Sequence, residues 1–244
     1  MEHWDALCPG GVRICWDETA HKPGTDSFLL GAFPRLRPGL RVCDLGSGTG
    51  LLGLLLLQRQ RELTVTGVEL SPAAAALADQ AAEENGLTDR LRTLRGDLRS
   101  VRELLDAGGY DLCVSNPPYF PLGGGAPAPD AARRSARSET DCTLEDVCRA
   151  AAYALRWGGR FCAVYRPERL CDLVCALRES GLEPKRLRMV EAEPGRAPSL
   201  LLIEAVRGGR PGLAAEPPLR LRDEAGEPTA AYDAAYFRTK ESGA

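Results

Sequence analysis

Histidine is nearly missing from this chain of 244 residues: only His3 and His21 occur. Lysine is almost as scarce, at Lys22, Lys185 and Lys240, so arginine carries the basic charge; we attach no function to that bias. No apolar run exceeds Leu51–Leu57, far short of the roughly 20 residues that a membrane-crossing helix needs. No charged-then-apolar leader opens the chain, since Glu2, His3, Trp4 and Asp5 already stand in its first residues. These absences predict a cytoplasmic protein with no membrane partner. Zinc is not expected either: nine cysteines are present, but without paired C-x-x-C spacings or neighbouring histidines. Their number is odd and they are scattered, unlike the framework of a secreted disulfide protein. Cys43, Cys113 and Cys162 lie in apolar stretches that read as central strands, and Cys171 and Cys175, at i and i+4 of an expected helix, read as packing residues. All nine are expected as reduced thiols, mostly buried, and no metal is expected.

What remains is an ordinary globular composition. A hydrophobic fraction of 44% with 27% charged residues excludes a wholly disordered chain. The length suits one large domain, or a domain with appendages. The net charge of −3 disfavours indiscriminate binding of polyanions, but local clusters decide that question more than the sum does.

From Arg41 onward short apolar runs alternate with helix-like stretches. Strands are expected at Arg41–Asp44, Leu63–Leu70, Arg90–Gly96, Tyr110–Ser115, Arg160–Tyr165, Lys185–Val190 and Ser199–Val206. Helices are expected at Leu51–Gln60, after Ser71-Pro72, at Leu98–Ala107, Leu144–Arg156 and Pro167–Ser180. Ser71-Pro72 supplies an N-cap and a first-turn proline, and Asn85-Gly86 a C-cap. Apolar strands alternating with helices predict an α/β fold around a parallel sheet covered on both faces. The last two strands are joined only by a loop containing Pro194-Gly195 and so read as a hairpin, with one antiparallel strand at the end of a seven-stranded, mostly parallel sheet. Residues 1–39 form an N-terminal extension, 40–207 the core and 208–244 a tail packing on it. Pro121–Pro129, rich in glycine and proline, reads as a mobile loop directly after the fourth strand.

Asp44-Leu45-Gly46-Ser47-Gly48-Thr49-Gly50 joins the first core strand to its helix. Glycines there let the backbone turn tightly and approach a ligand at a helix start. The spacing is GxGxG, not the GxGxxG of dinucleotide folds, and alone it is equally a structural turn. Glu69 closes the second strand, where a carboxylate can accept both hydroxyls of a ribose. Asp97 follows the third, where it or the Leu98 amide can meet an adenine edge. Singly each acid reads as a cap or a solvated loop; together they point into one crevice at the carboxyl side of the sheet.

Asn116-Pro117-Pro118-Tyr119 follows the fourth strand. Consecutive prolines fix φ and remove two donors, leaving carbonyls that point in set directions. Asparagine adds an acceptor, and tyrosine a ring for stacking on a base. Two acceptors beside a platform suit a planar group bearing an NH2. Hydrogen bonds from that amine to the Asn116 side-chain oxygen and the Pro117 carbonyl favour a pyramidal nitrogen with an available lone pair, so positioning carries the rate and no strong base is required.

The glycine-turn region resembles the Rossmann-like class I S-adenosylmethionine-dependent methyltransferases. That resemblance implies S-adenosyl-L-methionine as cofactor. Asp44 with the amides from Gly46 through Ser47, Gly48 and Thr49 to Gly50 would hold its methionine part, Glu69 and neighbouring Leu70 its ribose, and Asp97 with Leu98 its adenine. The Asn-Pro-Pro-Tyr motif is similar to that of methyltransferases acting on adenine N6, guanine N2 or glutamine amide nitrogen. Lys22–Gly31, Asn116–Phe120, Ala136–Glu139, Cys142–Asp146, Tyr165-Arg166-Pro167, Leu182–Arg188 and the tail through Pro217-Pro218 resemble the bacterial tRNA1(Val) adenine-37 N6-methyltransferases over nearly the whole chain. This implies that Lys22, Thr25 and Asp26 line the cofactor pocket, the last two by capping a helix, under an N-terminal hairpin or helix. Ser138 stands where the family has histidine, which puts any role for that position in doubt.

The implied partner is the anticodon loop of a tRNA, bound by a monomer or weak dimer. Position 37 is unpaired, which reduces the cost of extruding the base. Tyr119 and Phe120 would meet that base, and Arg133, Arg134 and Arg137 the phosphates; Lys185, Arg186 and Arg188 form a second basic cluster. Two other readings stay open: a glutamine methyltransferase acting on a release factor, for which the extension is short, and an inactive RNA-binding module.

Overall fold

Strand-forming runs that are apolar at successive positions can be buried on both faces, and the core strands are built this way. In Arg41–Leu45 (β3) every residue after the first is buried, and Tyr110–Ser115 (β6) has only Asp111 partly open. The computed structural model describes residues 2–17, 24–117 and 142–238. Around β3 and β6 lies an eight-stranded sheet, which also contains Thr64–Glu69 (β4), Leu91–Arg95 (β5), Leu155–Tyr165 (β7), Leu182–Glu191 (β8), Leu200–Arg207 (β9) and Ala214–Arg220 (β10). Its order is β10-β8-β9-β7-β6-β3-β4-β5. Pairing is parallel from β5 across to β7, antiparallel on both sides of β9, and parallel between β8 and β10.

Two expectations about the sheet are corrected. It has eight strands, not seven, because the tail contributes β10. Pro217-Pro218 argues against a strand, since proline lacks the ladder donor, but an edge position tolerates it; β10 occupies that edge, with a register shift between Glu216 and Leu219. The single antiparallel strand, β9, lies inside the sheet between β7 and β8, not at its end. The chain passes one position outward to β8, and a short loop then returns it into the gap.

Side chains alternate across each strand. Val42, Leu112, Val114 and Val164 join a core on one face with Thr25–Ala32 (α1) and Leu51–Arg59 (α2). Cys43, Cys113, Phe161 and Ala163 join the other, under Leu144–Ala154 (α5) and Leu170–Glu179 (α6). Pro72–Glu84 (α3) begins as expected: the Ser71 hydroxyl accepts from the Ala74 amide. Two helices are shorter than the sequence suggested. After Asp97 there is a 3-10 turn, Leu98–Ser100, and one turn of helix, Val101–Leu104 (α4). α5 stops at Ala154 because the backbone is already extended at Leu155, well before Gly158.

The chain opens on an antiparallel hairpin, Glu2–Ala6 (β1) with Arg13–Asp17 (β2). It lies along α3, where the Arg13 amide donates to Asn85 Oδ1 at 2.8 Å and the Arg13 guanidinium meets Glu84 at 2.6 Å. The last described helix of the tail, Ala230–Ala235 (α7), packs on α1. All nine cysteines are free thiols, and Cys15, Cys43, Cys113, Cys148 and Cys162 are buried. Cys171 and Cys175 are exposed on α6, so the packing role expected for them is corrected. Among the described residues no helix is long and apolar enough to cross a membrane.

Candidate active site

Parallel pairing brings the carboxyl ends of β3, β4, β5 and β6 to one rim, where ligands bind in open α/β sheets. The turn after β3 runs through Gly46, Gly48 and Gly50 at φ +73°, +54° and +77°, a region that costs other L-residues roughly 1–2 kcal/mol. Among the described residues a Cβ built on Gly46 or Gly48 meets nothing within 4 Å, so these residues leave the space above the turn open. The turn is seated closely on β4: a Cβ on Gly67 would lie 2.6 Å from Ser47 Oγ and 2.9 Å from Ser47 Cβ.

The turn's amides are largely committed within the protein. Those of Gly46 and Ser47 donate to the Val68 carbonyl at 2.9 and 3.1 Å, and that of Gly50 to the Ser47 carbonyl at 2.9 Å. The Gly48 amide donates to Glu69 Oε2 at 2.7 Å. The expectation that the amides from Gly46 to Gly50 hold the methionine part is corrected for Gly46, Ser47, Gly48 and Gly50, whose donors have acceptors within the protein. The turn offers an open surface and nearby carboxylates, and the amides of Gly46, Ser47 and Gly48 fasten it to β4.

Asp44, inside β3, is 1% exposed, and among the described residues neither carboxylate oxygen has a hydrogen-bond partner; Ser47 Oγ is likewise buried and unpartnered among them. Burial pushes the Asp44 pKa up from 3.8 to about 7, the Glu69 charge raises it further, and the Gly53 amide, near Asp44 but outside hydrogen-bond geometry with either oxygen, offsets part of the shift. A buried carboxylate left this way is costly unless a donor or cation meets it. Glu69 uses two of its roughly four lone-pair positions, on the Gly48 amide and, through Oε1, on the Ser71 amide at 2.8 Å. Beside it Leu70 presents an apolar side chain that is 40% exposed.

Asp97 is engaged differently from the expectation. It caps the 3-10 turn through the Arg99 amide at 2.9 Å and pairs with the Arg99 guanidinium, whose hydrogen bond holds its carboxyl below the usual carboxylate range. Leu98 is half-buried against the α5 side of the core. The Gly96 amide donates to the Glu69 carbonyl at 2.9 Å, so the β5 end still closes on the same rim.

At the end of β6, Ser115 Oγ donates to the Leu45 carbonyl at 2.7 Å and ties the strand to β3. The next residue is Asn116, whose Nδ2 donates to Ser27 Oγ on α1 at 3.0 Å. Helix α1 is thus part of the rim, but not by the capping expected of Thr25 and Asp26. Gly24 is the N-cap, in extended conformation and with no side-chain cap bond. Thr25 lies one position inside, where its hydroxyl accepts from Tyr236 Oη at 3.0 Å. Asp26, in the first turn, accepts from the Ser27 amide at 3.0 Å and suits the positive end of the helix dipole.

The structure therefore brings together Asp44, the glycine turn and Glu69, and sets Asn116 and Pro117 one strand away. Ser27, Ser115 and Tyr236 were not foreseen as site residues. Ser27 sits one residue past the pair singled out in its segment, and nothing in spacing links Tyr236 to it. Lys22, Pro118, Tyr119, Phe120, Arg133, Arg134, Arg137 and Ser138 lie outside the described residues.

Sheet order and rim are those of a class I methyltransferase. The family model of the methyltransferase small domain matches residues 21–172. The chain is 35% identical, over 86% of its length and 86% of the relative's, to the tRNA1(Val) (adenine(37)-N6)-methyltransferase of Tolumonas auensis. It is 33% identical to the same-named protein of Dickeya chrysanthemi, over 86% of this chain and 84% of that one. A crystal structure of a predicted O-methyltransferase from Agrobacterium tumefaciens matches with a TM-score of 0.73 at 22% identity, covering 88% of this chain and 97% of that one, a likeness of fold. The chain belongs to the methyltransferase small domain family and, within it, to the family of the tRNA1(Val) (adenine(37)-N6)-methyltransferases.

Its cofactor is S-adenosylmethionine, and the residues present fit it. The orphaned Asp44 carboxylate matches an ammonium group, the spare acceptor positions of Glu69 match ribose hydroxyls, and open space over Gly46 and Gly48 admits the ligand.

Proposed function

We propose that this chain methylates the exocyclic N6 of an unpaired adenine in tRNA, at position 37 of a valine tRNA. The relatives' names supply the target. The observation that carries the chemistry is the pairing, at one rim, of the orphaned Asp44 carboxylate with the Asn116 carboxamide at the end of β6.

When bound, the cofactor supplies an electrophilic methyl group on a sulfonium. Asp44 binds the cationic end of its methionine part, Glu69 and Leu70 its ribose, and Leu98 beside Asp97 its adenine, with Lys22, Thr25 and Asp26 at the border of the pocket. The Asn116 side-chain oxygen and the Pro117 carbonyl accept the two N–H groups of the target amine, which draws the nitrogen toward a pyramidal shape and frees its lone pair. Tyr119 stacks on the extruded base, with Phe120 beside it, and Arg133, Arg134 and Arg137 meet phosphates. The extra proton on the methylated nitrogen passes to water, so no strong base is needed. On this reading the extension of residues 1–39 covers the cofactor pocket through its α1 segment, with the hairpin lying along α3, and the protein works as a monomer or weak dimer.

The test is methyl transfer from labelled S-adenosylmethionine to tRNA from a strain lacking the modification. Label in N6-methyladenosine at position 37 of a valine tRNA is the expected result. Label in protein, or retained tRNA binding with no transfer, overturns it.

A further inference from the structure

We infer that Ser27 is a positioning residue for methyl transfer, acting through Asn116; the inference rests on the role given to Asn116 above. An asparagine carboxamide carries a donor at one end and an acceptor at the other, and a half-turn about its last bond exchanges them. Only one of the two orientations puts the oxygen where an incoming amine can donate to it. In this structure Nδ2 donates to Ser27 Oγ at 3.0 Å, which favours one of the two orientations.

Several features make Ser27 a firm anchor. Its residue is only 9% exposed, so water competes weakly for the bond. Its amide is occupied by the Gly24 carbonyl at 3.2 Å and by Asp26 Oδ1 at 3.0 Å, which leaves the hydroxyl as the polar group facing β6. The helix beneath it is held at three further points. A Cβ on Gly31 would meet Leu55 Cβ at 3.0 Å, so α1 crosses α2 closely. The Phe28 and Tyr236 rings stack at 4.2 Å and 4°. Tyr236 Oη bonds Thr25 Oγ1. An element 89 residues away in sequence thus fixes how Asn116 faces the rim.

A contact of this kind matters to turnover and not to cofactor affinity. Without the hydroxyl the carboxamide loses this bond and its preference for one orientation weakens, and the loss in kcat falls between that of one neutral hydrogen bond and that of a misplaced reactant, roughly tenfold. The experiment compares the full-length protein with Ser27→Ala, Ser27→Thr, Asn116→Ala and the Ser27→Ala/Asn116→Ala double variant. It measures kcat and KM on unmodified tRNA, and the Kd of S-adenosylhomocysteine. Ser27→Ala is expected to lower kcat about tenfold with Kd unchanged, Ser27→Thr to retain most of the rate, and Ser27→Ala to add nothing once Asn116 is alanine. An equal loss in both backgrounds, or an unchanged kcat for Ser27→Ala where Asn116→Ala loses turnover, overturns the inference. If Asn116→Ala itself keeps full turnover, the reading of the site fails first, and distinguishably. Should Ser27→Ala not fold, Ser27→Cys replaces it as a near-isosteric variant with a weak partner for the amide, with the same outcomes.

Discussion

The guanidinium of Arg186 on β8 lies 2.9 Å from the carboxylate of Glu204 on β9. Glu204 is 1% exposed and is met from its other side by Arg160 of β7 at 2.6 Å, while Arg186 reaches on to Glu216 of β10 at 2.7 Å. One chain of alternating charge therefore crosses four adjacent strands and fastens the tail strand to the sheet. Removing one partner of a buried pair strands the other, which typically costs about 3–5 kcal/mol. Glu204→Ala is expected to lower Tm by roughly 6–20 °C, at about 2–4 °C per kcal/mol for a chain of this size, and Glu204→Gln by less. A calorimetric Tm within 2 °C or so of wild type would show that the ladder contributes nothing net.

Asp44 makes cofactor affinity depend on pH. Its carboxyl titrates ordinarily at 3.8 and in the folded protein at about 7, mainly through burial. Between those values the folded chain keeps a proton that the unfolded chain has lost, so without ligand stability falls as pH rises through this window and levels off above it. A cationic ligand needs the ionised form. The Kd of S-adenosylhomocysteine should therefore tighten from pH 6 to about 7 and flatten beyond, with proton release on binding below pH 7. Calorimetric titration in buffers of different ionisation enthalpy measures that release. Asp44→Asn should abolish it; the same pH dependence in that variant removes Asp44 from the account.

The rim was legible because glycine, proline and N-cap signals punctuate apolar runs there: Ser71-Pro72 opens α3, Gly50 precedes α2, and Asp44, Glu69 and Asn116 each stand at or near a strand end. What escaped was set by tertiary context. Two consecutive prolines hid β10, since only an edge strand tolerates missing donors. The commitment of the Gly46, Ser47 and Gly48 amides to β4 depends on how closely the turn sits there, which no spacing encodes. The bond between Asn116 and Ser27 joins segments whose nearness follows from α1 packing against β7, and that in turn from the order of the sheet.

Gly67 has no place in the glycine motif, yet it permits the turn's position. A methyl group there would press on Ser47 at 2.6–2.9 Å, below any ordinary van der Waals contact, and the turn would have to lift from β4. Gly67→Ala is expected to cost about 1–3 kcal/mol as overpacking and to weaken S-adenosylhomocysteine binding. Adding Ser47→Gly opens the space and should restore part of the lost Tm. Equal Tm for the single and double variants would mean that the contact with Ser47 is not what Gly67 avoids.

Tyr236 links the tail to the catalytic rim. Its ring stacks on Phe28, its hydroxyl bonds Thr25, and the Arg238 guanidinium lies 4.7 Å above it. The two halves of this contact separate by mutation. Tyr236→Phe keeps the stack and loses one neutral hydrogen bond, worth about 0.5–1.5 kcal/mol. Tyr236→Ala loses both and leaves Phe28 uncovered, so a penalty of about 2–4 kcal/mol is expected, toward the lower part of the range for deleted aromatics because the tyrosine is only half-buried. Because α1 also anchors Asn116, the alanine variant should lose kcat on tRNA more than it loses affinity for S-adenosylhomocysteine, and the phenylalanine variant should stay close to wild type in both. Thermal melts and steady-state rates below the lower Tm check this. A Tyr236→Ala enzyme with lowered Tm and full kcat would show that the tail stabilises the fold without setting the geometry of Asn116.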